Sequence, residues 1–366
     1  MYRLTTGASV AVRVVAAGLV EAHRSSSANR DILRQDASMP PALRRGMALV
    51  SAVALRSGFP HDIASQANAF TALATRPVGE WGPAPFAECA ERAVILVDPG
   101  FGSPTADCLE LASGGGEASV VEDIFHERLR TALAASGTEA PRLYREVRET
   151  IVRHPCMTKT EVLAFAYDVP ELATDIPTFF RRLPASALHG RTLRLCGHCG
   201  APLFPDRDRV SHPLGRCAVR ECRMTFPDAS VGSEHEVASP DDWRIADPSI
   251  MTYWVGPGLP EIWLYDALLA SGADAELYPM CDAADVGIGG TAVGVDVKSY
   301  SSAAVIGHRF ANGIGGLRAF RRRIVAIPDF WIRIDRDYLA TAASVSGLRE
   351  GIEFMSVSAV AREFAA

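Results

Sequence analysis

Cys196-Gly-His-Cys199, then Cys217 and Cys222 after a seventeen-residue excursion, constrain this 366-residue chain more than any other feature. Two thiolates from one tight turn supply half of a tetrahedral Zn²⁺ shell, and a second pair 15–20 residues on closes it. Gly200 after Cys199 suits such a turn, because glycine tolerates positive φ and exposes backbone N–H groups to sulfur. The ligands expected are therefore Cys196, Cys199, Cys217 and Cys222, with His198 and His212 in range but surplus. Four thiolates leave no open coordination position, so this Zn²⁺ is expected to be structural. Its removal is expected to unfold residues 191–226 and leave the C-terminal region folded. The other four cysteines, at 89, 108, 156 and 281, are scattered. Paired clustering in a long chain reads as metal binding in a reducing compartment, not as a disulfide framework, and predicts a cytoplasmic protein.

The chain is 48% hydrophobic and 22% charged, which excludes disorder as its main state. Its net charge of −6 gives no global signal for nucleic acid, so any basic surface must be local. No uncharged apolar stretch is long enough to span a bilayer, and no membrane partner is expected. Gly7–Val20 is apolar but carries Arg13, and reads as a buried N-terminal helix in preference to a secretory signal.

Along the chain, residues 1–138 read as a mostly helical domain of unassigned role. Its runs 47–55 and 120–137 suit helices, with Val121, Ile124, Phe125, Leu129 and Leu133 on one face. The run 93–100 suits a short strand, and Gly114–Gly116 a flexible joint. Residues 139–190 form a helical block. Leu143, Val147, Ile151 and Val152 make its first helix amphipathic, and Thr158 with Glu161 forms a capping box opening the next. Residues 191–226 are the zinc module, 227–248 a polar linker, and 249–366 a domain of helices mixed with short apolar strands. The fold class expected is α+β to α/β multidomain, ending in an α/β sandwich with a central mixed sheet.

The last domain carries a second constellation. In Gly294-Val-Asp-Val-Lys-Ser-Tyr300, side chains on a strand alternate faces, so Asp296 and Lys298 point one way and Val295 and Val297 the other. Asp285 edges the preceding apolar run, and a hairpin-like return brings it beside Asp296. Two such carboxylates suit Mg²⁺ or Mn²⁺, with the lysine ammonium beside the metal to neutralise charge in a phosphodiester transition state. Glu261, on the helix opening the domain, is placed to reach the same ion; Asp266 and Asp282 are rival acids. Arg318, Arg321, Arg322 and Arg323 downstream, with Arg216 and Arg220 in the zinc module, are candidate nucleic-acid contacts.

Helix-borne Glu261, Asp285 and Asp296-Val-Lys298 resemble the PD-(D/E)XK restriction-endonuclease-like superfamily, with Ala284 where the first motif usually has proline. The layout from about residue 140 onward, RLYREVRETIVRHP, FFRRLP, four cysteines and then the nuclease-like core, resembles the REase group associated with prokaryotic PIWI/Argonaute-like (pPIWI_RE) systems. The resemblance implies a metal-dependent endonuclease acting on DNA or a DNA/RNA hybrid, in bacterial defence, with PIWI/Argonaute-like and helicase-like partners. A homodimer is a possible assembly. The alternative is a non-catalytic zinc-containing DNA-binding or adaptor protein.

Overall fold

The computed structural model of the chain describes residues 2–29, 39–113, 129 and 131–365. Helices α1 (Tyr2–Asn29), α2 (Pro41–Arg56) and α3 (Ala106–Ser113) fill the first third. α4 (Ala140–Arg153), β1 (Cys156–Thr158), α5 (Lys159–Asp168), β2 (Phe180–Arg182) and β3 (Leu188–His189) follow. Next come β4 (Thr192–Cys196), β5 (Leu203–Phe204), β6 (Arg216–Cys217), α6 (Arg220–Thr225), β7 (Val231–Glu236) and β8 (Trp243–Ala246). The remainder runs α7 (Gly256–Ala270), β9 (Ala275–Leu277), β10 (Val286–Ile288), β11 (Val293–Val297), α8 (Ala303–Asn312), β12 (Arg322–Ile327), α9 (Asp329–Ile334), α10 (Tyr338–Ser346), β13 (Ile352–Ser356) and α11 (Val357–Glu363).

These elements form two compact units, neither a single segment. One comprises Met1–Val121, Tyr300–Ile314 and Asp335–Glu350; the other comprises Glu122–Ser299, Gly315–Ile334 and Gly351–Ala366.

The first unit is helical. α1 buries Ala8, Ala11, Val12, Val15, Ala16 and Leu19, the helical spacing expected of the apolar N-terminal run. It crosses α2 closely. A Cβ on Gly18 would lie 2.2 Å from Leu43 N, and one on Gly46 would lie 2.7 Å from Val15 N. Each helix thus gives up a side chain where the other's backbone passes. Asp107 on α3 is fully buried, and accepts hydrogen bonds from Ser301 N and Oγ (both 2.9 Å) and from Ser302 N (3.2 Å). The run 93–100 is not a strand. Val94, Leu96 and Val97 are buried, but only one isolated bridge forms, Val97 to Pro104. Asp98 Oδ1 accepts from Gly100 N and Phe101 N and turns the chain before a ladder can grow. Most of the 120–137 run and Gly114–Gly116 lie outside the described residues; Leu129 and Leu133 are buried.

The second unit holds the sheets. β13-β12-β11-β10-β9 form a mixed five-stranded sheet, with β9, β10 and β11 antiparallel and β11, β12 and β13 parallel. β11 reads as a near-continuous apolar run because it lies at the centre, between β10 and β12. Small sheets β1-β8-β2 and β3-β4-β7 and the pair β5-β6 complete the unit. The polar segment 227–248, expected as a linker, instead supplies β7, paired with β4, and β8, the centre of its own sheet. β7 is only half-buried on alternate residues, so ladder hydrogen bonds hold it where an apolar pattern could not announce it. The block 139–190 likewise contains β1 and β2 besides its helices.

Candidate active site and metal centre

The register of β10 on β11 sets Val286 opposite Val295, which puts Asp285 and Asp296 opposite each other one step beyond. Asp285 N donates to Val295 O (3.0 Å), and Val297 N donates to Asp285 Oδ2 (2.6 Å). Both carboxylates face one ammonium. Lys298 Nζ lies 2.6 Å from Asp296 Oδ1 and 3.6 Å from Asp285 Oδ2. Val295 and Val297 are buried, as strand alternation requires.

Glu261 projects from α7, a helix with almost no polar face, and is 1% exposed. It accepts a hydrogen bond from Tyr278 Oη (2.7 Å) and pairs with Arg148 Nη2 (3.2 Å). Arg148 comes from α4 and is itself buried. Its Nη1 lies 2.6 Å from Asp282 Oδ2 and its Nη2 3.9 Å from Asp285 Oδ1, while its guanidinium stacks 4.1 Å from the centre of the Tyr278 ring. Tyr144, one turn earlier on α4, donates from Oη to Asp282 Oδ2 (3.1 Å). The loop from β9 to β10 is wound left-handed at four non-glycine residues, Tyr278, Met280, Cys281 and Asp282. Such conformations cost about 1–3 kcal/mol each and persist only where contacts over-determine them. The contacts of Tyr278 with Glu261 and of Asp282 with Arg148 do so here.

Glu261, Asp285, Asp296 and Lys298 therefore converge. Asp282, expected as a rival to Asp285, joins the same cluster through Arg148. Asp266 does not; it is half exposed and bound to Arg153 at 2.6 Å. Burial pushes Asp285 well above the ordinary carboxylate range, and the neighbouring Glu261 adds to this while Lys298 opposes it. Burial also raises Glu261 against the pull of Arg148. Burial works against the charge of Arg148, but Asp282 and Glu261 outweigh it and hold the guanidinium ionised. Lys298 and Asp296 are about one-fifth exposed, so this edge of the cluster faces solvent.

Arg148 and Tyr144 are absent from the sequence-derived site. The signal was available: they are spaced four apart beside Leu143, Val147 and Ile151, so the 3.6-residue period puts a charge on the buried stripe of α4.

The arginines divide. Arg321 and Arg318 are exposed. Arg322 is held by both oxygens of Glu353 (2.8 Å each) and by Glu363. Arg216 is half exposed, 3.7 Å from Asp206, and Arg323 donates to Phe320 O (3.0 Å). Arg220 is buried against Glu221 at 2.8 Å, which leaves it no outward surface for a phosphate.

Cys196, Cys199, Cys217 and Cys222 are buried, with their sulfur atoms within 4.8 Å of one another. β4 ends in Cys196, where Gly197 N donates to Ser230 O (2.7 Å) and Gly200 N to Cys196 O (2.9 Å), closing the turn. Gly200 has φ +70°, the left-handed value the spacing implied. Cys217 ends β6 and Cys222 sits on α6. Hydrogen bonds from Cys199, Cys217 and Cys222 pull the Cys196 thiol down, and hydrogen bonding to Cys196 pushes Cys199 up. A metal such as zinc fits this donor set, since a cation lets all four sulfurs ionise together. Neither His198, stacked on Phe226 at 4.1 Å, nor His212 belongs to the group.

Among the described residues no helix is long and apolar enough to cross a membrane. Residues 258–366 match the family model described as "REase associating with pPIWI_RE", and residues 11–158 match the one described as "pPIWI_RE three-gene island domain Y". The two matches tie the chain to the pPIWI_RE system. No curated protein and no solved structure matches it.

Proposed function

We propose that the second unit is a divalent-metal-dependent endonuclease acting on DNA, working in a bacterial defence system beside a PIWI/Argonaute-like protein and a helicase-like one. The observation that carries this reading is the meeting of Asp285 and Asp296 at the ammonium of Lys298, on the solvent-facing edge of a buried acidic cluster. The match of residues 258–366 to the family described as "REase associating with pPIWI_RE" supports it. Asp285 and Asp296 would hold Mg²⁺ or Mn²⁺, with Glu261 behind them; the ion supplies Lewis-acid stabilisation of charge on the phosphoryl oxygens. Lys298 provides a second, fixed positive charge where the phosphodiester approaches. Val297 N and Tyr278 Oη orient Asp285 and Glu261. The four cysteines would hold a structural Zn²⁺.

A non-catalytic adaptor is the second reading, and Arg148 is the observation that favours it: the buried acids already have a counter-ion. Cleavage assays with Mg²⁺ or EDTA separate the two. Lys298→Ala should lower turnover roughly 100-fold or more, the scale of losing one transition-state donor, while DNA binding stays within a few-fold. Wild-type turnover in Lys298→Ala, or no metal-dependent cleavage by the wild type, leaves the adaptor in its place.

A further inference from the structure

Resting on the reading of this cluster as a metal centre, we infer that the Arg148 guanidinium occupies the position of a second divalent cation and so limits the site to one metal ion. The geometry is that of a bridged pair of positive centres. Asp285 turns Oδ2 to Lys298 at 3.6 Å and Oδ1 to Arg148 at 3.9 Å. In two-metal phosphoryl-transfer sites the ions lie about 3.5–4 Å apart and clamp both the attacking and the leaving oxygen. Here the outer carboxylates, Asp285 and Asp296, meet at the Lys298 ammonium on the solvent-facing edge, where an incoming ion would compete with it, and the inner carboxylates are held by an arginine. Arg148 draws one carboxylate oxygen from each of Glu261, Asp282 and Asp285 to its two terminal nitrogens, so the acids that would have to close around an inner ion are spread over a guanidinium instead.

Charge gives the same answer. With all four carboxyl groups ionised, as ligation of a metal by them requires, Glu261, Asp282, Asp285 and Asp296 outnumber the paired cations Arg148 and Lys298 by two charges, which one divalent ion neutralises. Arginine suits a fixed occupant of this kind, because it does not lose its proton and its planar fork spans several carboxylates. The residue comes from the stretch matched by the domain Y family, and the acids from the stretch matched by the family of REases associating with pPIWI_RE. α4 thus completes a site whose ligands lie more than a hundred residues away.

The test counts Mn²⁺ bound to the zinc-loaded full chain by electron paramagnetic resonance, with Asp285→Asn as the blank. Wild type and Arg148→Lys should bind one ion. Arg148→Gln should bind two, with the broadened spectrum of two manganese ions sharing a carboxylate. Arg148→Gln/Asp282→Asn, which restores the charge balance, should return to one. Two ions in the wild type, or one or none in a folded Arg148→Gln, overturns the inference while leaving the metal reading intact. No ion in the wild type removes the metal reading itself. If Arg148→Gln is unfolded without metal, recovery of structure on adding Mn²⁺ supports the substitution of one cation for another. Failure to recover while Arg148→Lys folds overturns it.

Discussion

Arg321 and Arg322 stand side by side in a basic run, yet their surroundings give them different roles. Arg322 lies on β12 and reaches across to Glu353 on β13 and Glu363 on α11, so its charge is spent inside the fold. Arg321 is exposed at the strand's start. Arg322→Ala should therefore destabilise the protein by about 1 kcal/mol at most, since both partners are partly exposed and screened. The hydrogen bonds from Arg322 hold Glu353 below the ordinary carboxylate value. The stabilisation is accordingly complete above that ordinary value and is lost as pH falls through the lowered one. Denaturation of wild type and variant should show a gap at pH 7 that closes as the pH falls below the ordinary carboxylate range. Arg321→Ala should leave stability within about 0.5 kcal/mol. It should instead weaken DNA binding and lower the salt slope by about one, read by fluorescence anisotropy across a salt series. A charge run in a sequence cannot say which arginine is already paired, because the partners come from another strand and helix.

At the scale of elements, α5 shows what local chemistry alone decides. Thr158 Oγ1 accepts from Glu161 N (3.2 Å), and Glu161 Oε2 accepts from Thr158 N (2.7 Å), the reciprocal cap that the spacing implied. Thr158→Ala should cost about 1 kcal/mol, measured by urea denaturation. α4 was equally legible as a helix, from Leu143 to its stop before Pro155. Its buried arginine was not read, because an amphipathic pattern is drawn from apolar residues and treats a charge on the stripe as noise. β7 and β8 were missed for a related reason. Their stability comes from pairing with β4, β1 and β2, and pairing leaves no mark on the paired segment itself.

On the scale of the whole molecule, the four-cysteine module meets the chain just beyond Lys298. α6 carries Cys222 and, beside it, Glu221, whose Oε1 accepts from Ser299 Oγ at 3.4 Å. Trp331 Nε1 donates to the same serine at 3.2 Å. Gly256 leaves room for Glu221, since a Cβ there would lie 2.5 Å from its Oε2. Ser299 follows Lys298 directly. The expectation that metal loss unfolds residues 191–226 alone is therefore revised. On the proposed reading of the four cysteines as a Zn²⁺ site, chelation of that ion, or Cys222→Ser, should expose amides in 191–226 and also in 297–299 to hydrogen exchange. The proposed cleavage activity should fall with it, by about 10–100-fold, the scale of losing a supporting shell. Protection lost in the module with 297–299 unchanged would show the two to be uncoupled.

What the sequence determined by itself is whatever depends on neighbours close along the chain. Cysteine spacing and a left-handed glycine set the thiol cluster, a period of two put Asp296 and Lys298 on one face, and a capping box started α5. Tertiary structure alone decided which charges meet. Arg148 reaches Glu261 across 113 residues, and Arg322 reaches Glu353 across 31. It also decided that Tyr300–Ile314 and Asp335–Glu350 belong with the N-terminal helices, although they lie between strands of the C-terminal sheet. Burial and ion pairing are properties of three-dimensional neighbourhoods, and a linear pattern records only the half of each contact that it carries.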